Sequence, residues 1–286
     1  MHQASLIDDR PAWLPSALEA LARHEFLNAR QLAVLCALPV GEVGPALEVL
    51  VRDRLVVRLL PASVDSRERV PAYALTRHGV GELSRTSDVP KPRVVNARKS
   101  LYMLAHELAR NDFGVVLHAL DRSGSIRLLR WETSRARIAA SVQLVERGRP
   151  SRVPLVADAL AVVANGHSRS DAFLVEVDRG TVGIARMRAK YAGYLQWWRD
   201  RGPERRFGLR SLRVVTLAPN TPRLERLREA AIQASGGRGS GLLWFGEQKL
   251  ASLQDPARLL EPAWTRATPG SSLEHLFVPL AAAAAA

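Results

Sequence analysis

A single cysteine in 286 residues, Cys36, leaves no partner for an internal disulfide and no cysteine cluster for a metal. It reads as a small core residue. No apolar run approaches the roughly 18 residues that a membrane span needs. The opening MHQASLIDDRPAW has neither a basic start nor an apolar centre. That leaves no secretory signal and points to a cytoplasmic protein with no membrane partner. HExxH, GxSxG and paired CxxC are all missing, so the enzyme and zinc chemistry those spacings carry is not written here. The glycine-rich GGRGSG (236–241) lacks a GK[ST] ending and reads as a loop, not a phosphate cradle. Lysine is scarce as well, at four residues against 37 arginines.

Positive charge is what the chain has in plenty, and it is lopsided. The net charge is +13. Residues 1–90 hold 10 Lys and Arg against 11 Asp and Glu, whereas residues 91–286 hold 31 against 17. An arginine-rich genome explains Arg in place of Lys, but not this contrast between the two parts. A field of that sign and placement favours a polyanion, most naturally double-stranded DNA. The break falls near DVPKPR, which divides the chain into residues 1–90, a basic linker 91–100, a second domain 101–268 and a low-complexity tail 269–286 ending PLAAAAAA.

The first domain has winged helix-turn-helix grammar. PAWLPSALEALARH places Leu14, Leu18 and Leu21 at helical spacing. Asn28 is an N-cap before ARQLAVLC, and LPVG breaks that helix. GPALEVLVRDRL gives a third helix with Pro45 in its first turn. VVRLL and AYAL read as strands around a wing, and TRHGVGELS as a closing helix. In such a fold the third helix enters a major groove and the wing touches phosphates. The groove-facing positions here carry Glu42 and Glu48, so the expected DNA contacts are Arg30, Arg52, Arg54, the wing residues Arg67 and Arg69, and Lys91, Arg93, Arg98 and Lys99 of the linker. Pairing with a protein partner is the other use of such a domain, and winged-helix DNA binders often act as homodimers.

The second domain reads as α-β-β-β-α-β-α-β, the core order of the PD-(D/E)xK nuclease-like fold: an α/β (α+β) class with a central mixed sheet. Its hairpin lies in VPLVADALAVVANGHSRSDAFLVEVDRGT (153–181), where alternation predicts half-buried strands carrying one acid each. With the turn centred on His167, Asp158 and Glu176 face each other, their Cβ atoms about 5 Å apart. Two such carboxylates can share Mg²⁺, which would polarise a phosphate and activate water. Asp178 shares the face of Glu176. A plainer use of Asp178 and Thr181 is to cap the helix that follows. On that helix Tyr191, Tyr194, Trp197 and Trp198 form an aromatic patch, read mainly as core although aromatics among arginines can stack on bases.

The ordered set YALTRHGVGEL, HELARNDF, VADAL, FLVEVDRGT and KYAGYLQWW, spread over most of residues 11–265, resembles the replication-relaxation family of bacterial plasmids and other mobile elements. The resemblance implies a winged helix joined to a PD-(D/E)xK-like domain, with DNA binding in replication, relaxation or mobilisation. Two departures from the nuclease motif stand out: Ala157-Asp158 replaces Pro-Asp, and Asp178 replaces the motif lysine. Lys190 from the next helix is the candidate substitute, Glu107 on the first helix is the candidate third acid, and Arg179 is a candidate phosphate clamp. The expected function is therefore a non-catalytic DNA-binding factor of mobile-element maintenance. The alternatives are a Mg²⁺-dependent endonuclease and a protein-interaction adaptor.

Overall fold

The computed structural model describes residues 13–60, 70–87, 103–133, 138–146, 149–165 and 169–277. The chain divides into two compact units, Met1–Asn111 and Asp112–Ala286. Among the described residues no single helix is long and apolar enough to cross a membrane.

In the first unit, α1 (Leu14–His24) buries Leu14, Leu18 and Leu21. Strand β1 (Leu27–Asn28) leads into α2 (Ala29–Cys36). Asn28 caps α2: its side chain accepts from the Gln31 N–H at 2.9 Å, and the Gln31 side chain accepts from the Asn28 N–H at 3.0 Å. Helix α3 (Val40–Arg52) begins four residues before the expected GPALEVL start, because Pro39 (φ −57°, ψ 137°) both closes the turn and precedes the first helical residue. Pro45 consequently lies inside the helix and not in its first turn. Strands β2 (Val56–Leu59) and β3 (Ala72–Leu75) pair antiparallel, giving a sheet of order β1-β3-β2. Helix α4 (Arg77–Thr86) is capped by Thr76, whose hydroxyl accepts from the Gly79 N–H at 3.0 Å. A Cβ at Gly79 would lie 2.1 Å from the Leu55 carbonyl oxygen, so only glycine lets this turn close. The order of helices and strands is consistent with a winged helix. Cys36, expected as a small core residue, is half-buried and borders a small apolar cavity with Trp13 and Leu38.

Helix α5 (Leu104–Arg122) contributes Leu104 and Leu108 to the first unit's core, beside Phe26, Leu59, Ala72 and Ala74. Further along, in the second unit, a Cβ at Gly114 would strike the Trp131 ring at 2.5 Å.

The second unit is built on a six-stranded sheet of order β11-β10-β9-β8-β7-β4. Its members are β4 (Arg127–Glu132), β7 (Ala159–Asn165), β8 (Arg169–Val177), β9 (Arg213–Ala218), β10 (Ser240–Glu247) and β11 (Thr265–Ala267). Strands β8, β9 and β10 run parallel. Their crossovers are α6 (Ile184–Arg199), followed by the short α7 (Gly202–Phe207), and α8 (Thr221–Ala234). Two right-handed crossovers stepping the same way along a sheet lay their helices on one face. On that face Leu160, Val162, Ala172, Leu174 and Val214 form one core with Met187, Tyr191, Tyr194 and Leu227.

The expected α-β-β-β-α-β-α-β order is present, with additions. The main addition is a separate hairpin, β5 (Ala140–Glu146) with β6 (Arg149–Leu155). It takes the first residues of the run VPLVADAL, so the single strand expected there is broken at residues 156–158. Leu276 and Phe277, in the segment expected to be tail, are buried, and Phe277 stacks on Phe173 at 4.9 Å.

A candidate acidic site at the ends of β7 and β8

The β7–β8 register pairs Ala159 with Val175 and Asn165 with Arg169, so opposed residue numbers sum to 334 throughout. The turn around His167 lies outside the described residues. Asp158 lies just outside that ladder: its backbone N–H donates to the Val175 carbonyl at 2.9 Å, one residue off the register of the strands. The chain bends there, and the Asp158 Oδ2 accepts from the Val177 N–H at 2.8 Å, in place of a ladder carbonyl. One expected metal ligand thus also terminates the hairpin.

Glu176 lies on the helix-covered face, only 4 % exposed. An isolated buried carboxylate would cost more than a buried leucine contributes, about 1.5–3 kcal/mol, so it requires partners. It has them on every side. Lys190 Nζ stands 2.6 Å from Oε2 and also donates to the Val156 carbonyl at 2.9 Å. The Tyr194 hydroxyl donates to Oε1. On the neighbouring strand Thr216 is the register partner of Glu176, and its hydroxyl meets that of Tyr191 at 3.3 Å. Burial holds the Glu176 carboxyl above the usual glutamate range; Lys190 pulls it down and Asp158 pushes it up. Burial also raises the Tyr191 and Tyr194 phenols, the latter further through Glu176.

These residues are a poor fit to Mg²⁺ as arranged. Both Glu176 oxygens are engaged, one Asp158 oxygen holds a backbone N–H, and the Lys190 ammonium takes the position for which a divalent ion would compete. Among the described residues no three His, Cys, Asp or Glu side chains gather closely enough to hold a metal.

Asp178 is buried too, but serves another partner. Arg223 grips it through Nε to Oδ2 at 2.7 Å and Nη2 to Oδ1 at 3.0 Å, and also donates to the Val182 carbonyl. Its role as a cap for α6 does not hold: the N-cap is Gly183, with no side-chain cap. Glu107 belongs to the first unit, where it pairs with Arg110. Arg179 is exposed beside Asp178, and Arg30, Arg52 and Arg54 are exposed in the first unit. Arg67, Arg69, Lys91, Arg93, Arg98 and Lys99 lie outside the described residues. Of the aromatic patch, Tyr191, Tyr194 and Trp197 are core, whereas Trp198 is exposed.

Sequence reasoning placed Tyr194 in the aromatic patch but missed its bond to Glu176, and it missed Arg223 altogether. Tyr194 carried a signal, since it follows Lys190 by four residues on one helix face. Arg223 carried none, being 45 residues from Asp178 with no periodicity linking them.

Fold and site together define a two-unit α/β protein with an acidic, single-lysine cluster at the ends of two interior strands of its sheet. The chain matches the replication-relaxation family model over residues 18–210, more than half its length, and belongs to that family. Membership supports a function related to replication or to mobile elements. No significant match is found among curated proteins or among solved structures.

Proposed function

We propose that this chain is a DNA-binding protein of plasmid or other mobile-element replication, whose second unit has a nuclease-like sheet and grips DNA without cutting it. The observation that carries the reading is the charge contrast: 31 Lys and Arg against 17 Asp and Glu in residues 91–286, beside a nearly balanced residues 1–90. The non-catalytic part rests on Glu176, whose two oxygens already serve Lys190 and Tyr194. The winged-helix order of the first unit supports duplex DNA as the partner. A second reading, a Mg²⁺-dependent endonuclease, has one observation in its favour. Lys190 reaches Glu176 from the next helix and supplies the cation that the sequence omits at Asp178.

The test incubates the protein with supercoiled plasmid and linear duplex, with Mg²⁺ or Mn²⁺ against EDTA, and reads nicking and gel shift together. The expected result is a salt-sensitive shift without nicking. Metal-dependent nicking that disappears in Glu176→Ala would establish the endonuclease instead. Neither signal at low salt would sink both readings and leave a protein-interaction adaptor.

A further inference from the structure

The elbow between α6 and α7 is a second charged surface, separate from the acidic cluster. Residues 198–210, WRDRGPERRFGLR, hold five arginines against Asp200 and Glu204. Arg199, Arg201, Arg205, Arg206 and Arg210 are all exposed, and Trp198 is 38 % exposed among them.

The two tryptophans of this elbow do different work. Trp197 is buried and meets Phe207 edge-to-face at 6.0 Å. A Cβ at Gly202 would lie 2.0 Å from Trp197 Nε1, so the helix junction closes directly on the indole, and only glycine fits. With Trp197 fixing the elbow, the next residue, Trp198, is held outward on a rigid base. Glu204 organises the charge: Arg201 lies 2.6 Å and Arg210 3.6 Å from its two oxygens. One carboxylate neutralises at most one of those two guanidinium groups. Arg201 also occupies a left-handed backbone position, φ 53°, where glycine or asparagine would be less strained.

We infer that this elbow is a contact surface for single-stranded nucleic acid, with Trp198 stacking on an unpaired base and the arginines facing phosphates. An indole face needs a base released from its neighbours, which a duplex does not offer, and stacking among cations is how non-specific single-strand sites are built. A membrane surface fits less well, since it calls for a broad apolar face and Trp198 is the elbow's one exposed large apolar side chain among the described residues. The inference goes beyond duplex binding and can fail separately from it.

The experiment uses the full chain and fluorescence anisotropy. The probes are labelled oligothymidylate and oligouridylate of about 16 nucleotides, a duplex of equal length, and anionic phospholipid vesicles. The wild type is expected to bind at least one single strand, the tighter of the two telling DNA from RNA. Trp198→Ala should weaken that binding roughly ten-fold, and Trp198→Phe should keep most of it. Arg205→Glu with Arg206→Glu should weaken it further and lower the salt slope by about 0.7 per lost phosphate contact. Thermal unfolding should match the wild type in the Trp198 variants and stay close to it in the double glutamate variant, whose Arg206 lies over the Phe207 ring at 6.0 Å. Equal single-strand affinity in the wild type and Trp198→Ala, no single-strand binding at low salt, or capture by vesicles alone would overturn the inference. Single-strand binding without a duplex shift would uphold it and sink the duplex proposal.

Discussion

Lys190 and Glu176 show how one pair of side chains can decide between a catalytic centre and a structural plug. Glu176 is buried and its pKa is raised, so it favours the folded state most below its ordinary value of 4.5. That contribution is lost as pH climbs towards the raised folded value. Removing Lys190 takes away the strongest influence lowering that pKa. Lys190→Met should therefore destabilise little near pH 4.5 and increasingly as pH rises. At pH 7.5 the loss should be about 3 kcal/mol, typical of breaking one side of a buried pair. In a unit of this size that is a fall in Tm of roughly 6–12 °C. Thermal unfolding at pH 5 and pH 8 checks the sign. A loss equal at both pH values would assign the effect to the Val156 carbonyl bond in place of the charge. Replacing both partners, as Lys190→Met with Glu176→Leu, should recover most of the loss if the pair is structural.

Among the elements, the β7–β8 hairpin was the most legible. Its alternation fixed the faces, and the numbering alone gave the register of the ladder from Ala159–Val175 to Asn165–Arg169, while Asp158 falls just outside it. The helices of the first unit were legible through apolar spacing and the Asn28 cap, whereas the Thr76 cap emerged only in the structure. Helix α3 was misplaced because a proline-containing turn looks like a break even when the next helix starts directly after it. The β5–β6 hairpin was missed although β5 (ASVQLVE) alternates, because its partner β6 (RPSRVPL) mixes arginine, serine and proline with the apolar residues and blurs the period-two signal. The Asp178–Arg223 fork was illegible for a different reason: it joins the end of β8 to the first turn of α8, and only the parallel crossover brings the two together. Its job is to pin the chain between β8 and α6, since Arg223 also holds the Val182 carbonyl. Lysine has the charge but not the fork. Arg223→Lys should therefore cost about 2 kcal/mol and speed amide hydrogen exchange in residues 179–183, leaving the β7–β8 ladder protected. Unchanged exchange there would show that the segment is held by Gln248, which donates to the Asp178 carbonyl at 2.8 Å, and not by the fork.

Across the whole chain, charge and contact geometry lead to different expectations about which part carries the proposed DNA binding. The winged-helix reading assigns the groove to the first unit, yet residues 1–90 have no net positive charge to release counterions. The helix expected to enter the groove presents Glu42 and Glu48 at its surface. Most of the sequence-independent affinity should therefore come from residues 91–286. For duplex DNA, log affinity falls against log salt with a slope of about 0.9 per phosphate neutralised. Replacing Arg30, Arg52 and Arg54 together with alanine should lower that slope by no more than about 3. A steep salt dependence should persist, because the basic excess of the remaining chain is untouched. Anisotropy titrations of the triple variant on one duplex, from low to physiological salt, measure this directly. If the triple variant loses its salt dependence altogether, the first unit holds the DNA by itself. The charge of the second part would then serve some partner other than this duplex.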